Sequence, residues 1–285
     1  MINSTKLRDT SEKHLPKWLY KPLLAVYRSR LIVTNFGKPV GSWQTAKFLF
    51  LDFFGKSKTV YLPGVDLFAH TDYKTLTTLI EVYNRELYSS LTDLECVLDA
   101  GAFIGESSRY LLKHNKSVVA IEPSKEKYKL LSQNIKGKNI TGYNAALVAT
   151  SEKTITLYSA SEFDFCSTTL PNSKASNKEV VPAVHIKKIM ETHELDGLKM
   201  DIEGAEFPII KYFCDHPKRF TFKKGIIEFH FNEDKQQRVD TVFQFIKMLE
   251  GNGCAITLYD NYNNVIQKAD INEGFVQSMN MLFTR

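Results

Sequence analysis

From Glu95 onward, short apolar runs bounded by turn residues alternate with stretches of helical period, and nothing else in the chain restricts its fold as much. Strands are expected at 96–100, 117–122, 141–148, 154–158, 198–202, 225–231, 254–259 and 278–283. Between them, helical patterns cover 105–114, 124–135, 186–192, 205–213 and 235–251. Ser124 suits the cap of the second helix, because its hydroxyl can accept from an amide of the first turn. Strand and helix alternating over about 190 residues predict an α/β fold, a mostly parallel sheet covered on both faces. Such sheets bind ligands at the carboxyl ends of their strands, where the strand order reverses. The segments to inspect are therefore 99–105, 122–124, 144–147, 201–206 and 228–230.

Residues 1–90 read differently, as an N-terminal extension to a main domain at 91–285. It holds a basic, partly apolar segment from Leu15 to Phe54, a short hairpin (59–62 and 66–69 around Pro63-Gly64) and a helix over 73–88. Residues 1–60 carry eleven Lys/Arg against three Asp/Glu, a surplus of eight; the whole chain is +5, so the rest is −3. The simpler reading of Trp18–Arg28 is a helix packed on the main domain with its lysines solvated. The functional alternative is peripheral contact with an anionic membrane surface or a partner. A main domain that is net acidic argues against nucleic acid as its partner.

The 43% apolar and 24% charged content excludes disorder throughout. Cys96, Cys166, Cys214 and Cys254 are scattered and form no C-x-x-C pair, which fits neither a zinc site nor a disulfide framework. A reducing compartment follows from that usage. No apolar run is long enough for a transmembrane helix, and Met1–Thr10 lacks the core of a secretory signal, so a cytoplasmic protein is expected.

Four constellations carry the chemistry. The turn Asp99-Ala100-Gly101-Ala102-Phe103-Ile104-Gly105 joins a strand to a helix with the spacing D-x-G-x-x-x-G. It lacks the middle glycine that a dinucleotide pyrophosphate needs. Gly101 permits close approach of a ligand, and Gly105 lets the helix start against the sheet. Glu122 ends the next strand, where a carboxylate can accept from ribose hydroxyls; otherwise it caps the helix after Pro123. Asp201, Glu203 and Glu206 crowd a strand-to-helix turn. Mutually repelling carboxylates there call for a sulfonium, a metal ion or a substrate proton, unless Glu203 and Glu206 serve the helix dipole. Glu228 and His230 share one side of their strand by period two, as a base and its orienter would. The bland alternative is a satisfied core histidine.

The ordered set V-L-D-A-G-A-F-I-G, A-I-E-P-S, N-A-A-L, L-K-M-D-I-E-G-A-E and I-I-E-F-H resembles the FkbM family of class I methyltransferases, over about Val97–Phe231. The most specific element is Lys199-x-Asp201-x-Glu203-Gly204-Ala205-Glu206. Family members usually carry Asn where this chain has Phe103. The resemblance implies a Rossmann-like, seven-stranded sheet with a terminal antiparallel strand. It also implies S-adenosyl-L-methionine as cofactor and O-methylation of a small-molecule or glycan acceptor. By the same resemblance, Asp99, Gly101, Ala102, Phe103 and Gly105 would hold the methionine part of the cofactor, with Asp201 close by. Glu122 and Pro123 would meet the ribose, and Asn144 and Ala145 the adenine. His230 is then the expected base, with Asp201 and Glu203 orienting the acceptor. A divalent metal on Asp201, Glu203 and Glu228 is the rival version, though no spacing diagnostic of a metal site is present. Two other classes compete: a nicotinamide-dependent oxidoreductase, and a non-catalytic nucleoside-binding module.

Overall fold

The computed structural model describes residues 38, 40–53, 58–159, 168–169, 177–231, 235–260, 264–272 and 278–285. Most of the basic segment, and most of residues 159–178, a stretch rich in Ser, Thr, Asn and Lys, lie outside them. The chain divides into two compact units, residues 1–86 and 87–285.

In the first unit, helix α1 (Ser42–Phe53) precedes the hairpin β1 (Thr59–Leu62) and β2 (Leu67–His70), which pair antiparallel. Helix α2 (Tyr73–Leu79) starts where the Asp72 carboxylate accepts from Thr75 N at 2.7 Å, the cap that satisfies an otherwise orphaned donor. A wider π-helical turn, Ile80–Asn84, continues it, so the helix expected over 73–88 is shorter and changes pitch. The Asn84 amide then binds both backbone groups of Val40, at 3.0 and 3.1 Å. Phe48, Leu67, Leu76 and Leu79 are fully buried here.

The second unit is built on β3 (Cys96–Ala100), β4 (Ser117–Ile121), β5 (Ile140–Tyr143), β9 (Gly197–Met200) and β10 (Lys224–His230). These five strands run parallel in the order β5-β4-β3-β9-β10. Strand β13 (Ser278–Thr284) then lies antiparallel between β10 and β11 (Ala255–Tyr259), and the two-residue β12 (Val265–Ile266) adds an eighth strand to the expected seven. Every residue of β9 is buried, as a strand covered on both faces requires. The order reverses between β3 and β9, which puts the crevice at their carboxyl ends.

The covering helices are α3 (Glu106–Leu112), α4 (Lys125–Ile135), α5 (Ile186–Thr192), α6 (Glu206–Asp215) and α7 (Lys235–Gly251), with the short α8 (Lys268–Asn272) before β13. Phe213, Phe222, Phe229, Phe245 and Phe283 are at most 1% exposed, and each such burial contributes about 1.5–3 kcal/mol. The rings of Phe213, Phe222, Phe245 and Phe283 meet Phe220 edge-on or tilted, Phe213 at 5.2 Å and Phe283 at 5.4 Å between centroids.

One expected strand is two. Residues 141–148 break into β5 and β6 (Ala146–Val148), which belong to different sheets. At the break the Asn144 side chain donates to the carbonyls of Glu122 and Pro123, at 2.9 and 3.0 Å, and the chain leaves the main sheet. Strand β6 pairs parallel with β8 (Asn177–His185), and β8 pairs antiparallel with β7 (Thr154–Ser159). This second, three-stranded sheet has no counterpart in the expected fold.

Candidate active site

The glycine turn is held from beneath. Asp99 is fully buried at the end of β3, and its Oδ2 accepts from the hydroxyls of Ser107 (2.7 Å) and Ser108 (2.6 Å) in the first turn of α3. Its other oxygen lies 3.3 Å from Lys199 Nζ on β9, the strand alongside. Lys199 also donates to the carbonyl of Gly101 at 2.7 Å. Burial works against the ammonium charge, but Asp99, Tyr88 and Asp201 together outweigh it and raise the Lys199 pKa. Asp99 therefore shapes the turn from below, and Lys199, which the family motif includes without a role of its own, ties two strands and the turn together. Its signal was a lysine inside the apolar run Gly197–Met200.

Above this anchor the backbone takes up left-handed conformations at Gly101 (φ 79°), Phe103 (φ 48°) and Gly105 (φ 92°). The amides of Gly101 and Ala102 both donate to the Ile121 carbonyl of β4, at 3.0 Å each. The Phe103 amide donates to Glu122 Oε2, also at 3.0 Å, and the Ser124 amide to Glu122 Oε1 at 3.0 Å. Glu122 is 4% exposed. Burial pushes its pKa up, while Lys127 and the two amides pull it back. Lys127 also lies 5.6 Å from the centroid of the Phe103 ring. The turn, Glu122 and the Asn144 side chain thus form one hydrogen-bonded rim across β3, β4 and β5, with Ala145 buried beside it.

The second turn, Asp201–Ala205, interlocks with the first. A Cβ on Gly101 would stand 1.8 Å from the Asp201 carbonyl oxygen, so only glycine lets the two turns pass. Glu203 (φ 56°) and Gly204 (φ 101°) are left-handed, and Glu206 Oε1 secures them by accepting from Ile202 N (2.9 Å) and Gly204 N (3.2 Å). Glu206 is fully buried, and its Oε2 has no hydrogen-bond partner among the described residues. Thr168 donates its hydroxyl to the Glu203 carbonyl at 2.7 Å.

His230, at the end of β10, projects into this acidic turn. Its Nδ1 is 3.3 Å from Glu206; its Nε2 is 3.5 Å from Glu203, 3.6 Å from Glu228 and 4.0 Å from Asp201. Glu228 and His230 do share one side of the strand, and the imidazole is ringed by four carboxylates rather than oriented by one. Burial opposes its charge, yet the hydrogen bond to Glu206 and the charges of Glu206, Glu203 and Asp201 push its pKa up to about 11. The four carboxylates thus favour the protonated imidazole, whereas the expected role of base calls for the neutral one. Asp201, Glu206 and His230 also offer three ligand atoms within 4.8 Å of one another, an oxygen-rich set suited to a hard divalent cation. The set differs from the expected Asp201, Glu203 and Glu228. A proton on His230 and a cation would compete for it.

Residues 99–255, more than half of the 285-residue chain, match the family described as the methyltransferase FkbM domain. Among solved structures the chain is similar to a methyltransferase FkbM from Methylobacillus flagellatus (TM-score 0.44, 14% identity, covering 90% of this chain and 58% of that one). It is also similar to a putative RNA methyltransferase from Pyrococcus horikoshii (0.37, 15%, 75% and 86%). A third is the Aeropyrum pernix fibrillarin bound to S-adenosyl-L-methionine (0.36, 10%, 68% of each chain). The chain thus spans little more than half the length of the Methylobacillus protein. No curated protein matches the sequence. On the extent of the family match, this protein belongs to the FkbM methyltransferase family.

Proposed function

We propose that the protein is an S-adenosyl-L-methionine-dependent methyltransferase acting on a hydroxyl of a sugar, glycan or secondary metabolite. The observation that carries this reading is the juxtaposition of Glu122 with the glycine turn. A buried carboxylate, held by the amides of Phe103 and Ser124, keeps lone pairs for a pair of ribose hydroxyls at the crevice edge. In this reading the turn 101–105 holds the methionine part of the cofactor, and Asn144 and Ala145 border the adenine. The cofactor, when bound, supplies a methyl group already activated on a sulfonium.

The chain's own part is to align the acceptor oxygen and take its proton. With His230 held as an imidazolium, the proton passes to a crevice carboxylate; Asp201, a third exposed, is the one assigned here. His230 and Glu203 then fix the geometry of that carboxylate. Four carboxylates around one imidazole also disfavour an acceptor rich in phosphate, which supports a neutral or cationic metabolite or glycan over nucleic acid.

Titration calorimetry tests the cofactor reading. The wild type is expected to bind S-adenosyl-L-methionine and not NAD, and Glu122→Gln to weaken that binding by about tenfold, the loss of a charge-assisted hydrogen bond. No binding by the wild type would overturn it.

A further inference from the structure

At the amino ends of the central strands, away from the crevice, the second unit has a cleft of about 500 Å³, the size range of small-ligand sites. Its lining comes from the residues that lead into β3, β9 and β10, with others from α5 and α6. Met190, Leu195 and Tyr212 make part of it apolar. The Tyr212 ring is edge-on to His185 at 5.3 Å and stacked on His216 at 4.6 Å between centroids, so this wall is fixed before any ligand arrives.

Ionic side chains complete the lining, and they are unevenly paired on its two sides. On the α5 side, Lys187 and Arg219 both approach one oxygen of Glu191, at 3.7 and 3.6 Å. Those distances are too long for hydrogen bonds, and two cations share one anion. On the β9 side, Asp196 has Lys223 at 3.1 Å and Glu95 has Lys116 at 2.7 Å. Glu194, two residues before β9 reaches Asp196's neighbour Gly197, has no ion pair or hydrogen bond among the described residues. One positive charge is therefore in excess on the first side, and one negative charge on the second.

We propose that this cleft binds a small zwitterion, an α-amino acid with an apolar side chain. Its carboxylate meets Lys187 and Arg219, whose planar fork matches two carboxylate oxygens, and its ammonium meets Glu194. The side chain lies against Met190 and Leu195. A simple anion would face the four carboxylates that line the cleft, and a simple cation would face Lys187 and Arg219. The proposal does not rest on the cofactor reading, because the crevice is built at the other ends of these strands and shares none of these residues.

The test is titration calorimetry of the full chain with L-leucine, L-leucine amide, which lacks the carboxylate, and N-acetyl-L-leucine, which lacks the ammonium. L-Leucine is expected to bind with a Kd of about 1 mM or tighter, and each analogue about tenfold or more weakly. Arg219→Gln should weaken L-leucine by about tenfold while changing the amide little, and Glu194→Gln should do the same with respect to the N-acetyl compound. Both side chains are exposed at the rim, so the melting temperatures should stay within about 3 °C of the wild type. Binding of S-adenosyl-L-methionine should be the same in both variants as in the wild type. Absence of L-leucine binding up to about 10 mM, equal binding of either analogue, or variants that bind L-leucine as the wild type does would each overturn the proposal.

Discussion

Gly101 and Gly137 both have positive φ, 79° and 72°. The backbone cost of replacing either with alanine is the same, about 1 kcal/mol. Their surroundings differ: among the described residues nothing lies within 4 Å of a Cβ at Gly137, whereas at Gly101 it would meet the Asp201 carbonyl oxygen at 1.8 Å. Backbone cannot yield there as a side-chain tip would. Gly101→Ala is expected to cost about 3 kcal/mol or more and Gly137→Ala about 1 kcal/mol, read from urea denaturation midpoints at equal slope. Equal costs would show that the two turns do not interlock. The spacing D-x-G-x-x-x-G correctly marked a position of close approach, but assigned that approach to a ligand. Part of it belongs to a turn 100 residues further along the chain, and no local pattern records which strands become neighbours. Phe103 is similar. Its left-handed backbone suits the Asn usual at this position in the resembling family, and the Lys127 ammonium against its ring is visible only once α4 is folded back.

At the scale of elements, the alternation of apolar runs located four of the five parallel strands to within two residues, because burial on both faces leaves an apolar run as its trace. It missed the division of 141–148, since β5 and β6 are both apolar and the break rests on Asn144 bonding to carbonyls of another loop. It also missed what joins β3 to β9. Asp99 and Lys199 are opposite each other in that pairing and are nearly inaccessible, so the pair is costly to break and cheap to replace. Lys199→Met leaves the Asp99 carboxylate buried with only two hydroxyl donors, and is expected to destabilise the second unit by about 3–5 kcal/mol. Adding Asp99→Asn removes the stranded charge and should restore part of that loss, a coupling measurable in a double-mutant cycle by chemical denaturation. Additive costs would mean that the two strands are held by their ladder alone.

Across the whole molecule, ionisable groups sealed at strand ends set how stability varies with pH. Asp196 has a lowered pKa: partial burial raises it, but the Cys96 amide and Lys223 more than compensate. Its stabilising contribution is present above its ordinary value near 3.8 and is lost as acid protonates it in the folded state. Glu106, at the start of α3, acts in the opposite sense. Burial pushes its carboxyl up from 4.5 to about 8, and Asp99 and Glu122 add to the rise while Lys199 reduces it. Between those two values the unfolded chain releases a proton that the folded chain keeps, so stability declines as pH rises across the window. The raised thiols Cys96, Cys214 and Cys254 extend the same decline into alkali. Acidification also increases a net charge that is already +5 at pH 7, but that repulsion is spread over the surface and screened by salt, whereas Glu106 is dry. The sealed groups therefore dominate, and the maximum lies on the acid side of neutrality. The melting temperature is expected to fall steadily from about pH 5 to pH 8, and Glu106→Gln, which cannot ionise, should flatten that fall without moving the acid limb set by Asp196. A melting profile that rises towards pH 8, or one that Glu106→Gln leaves unchanged, would place the controlling groups on the surface instead.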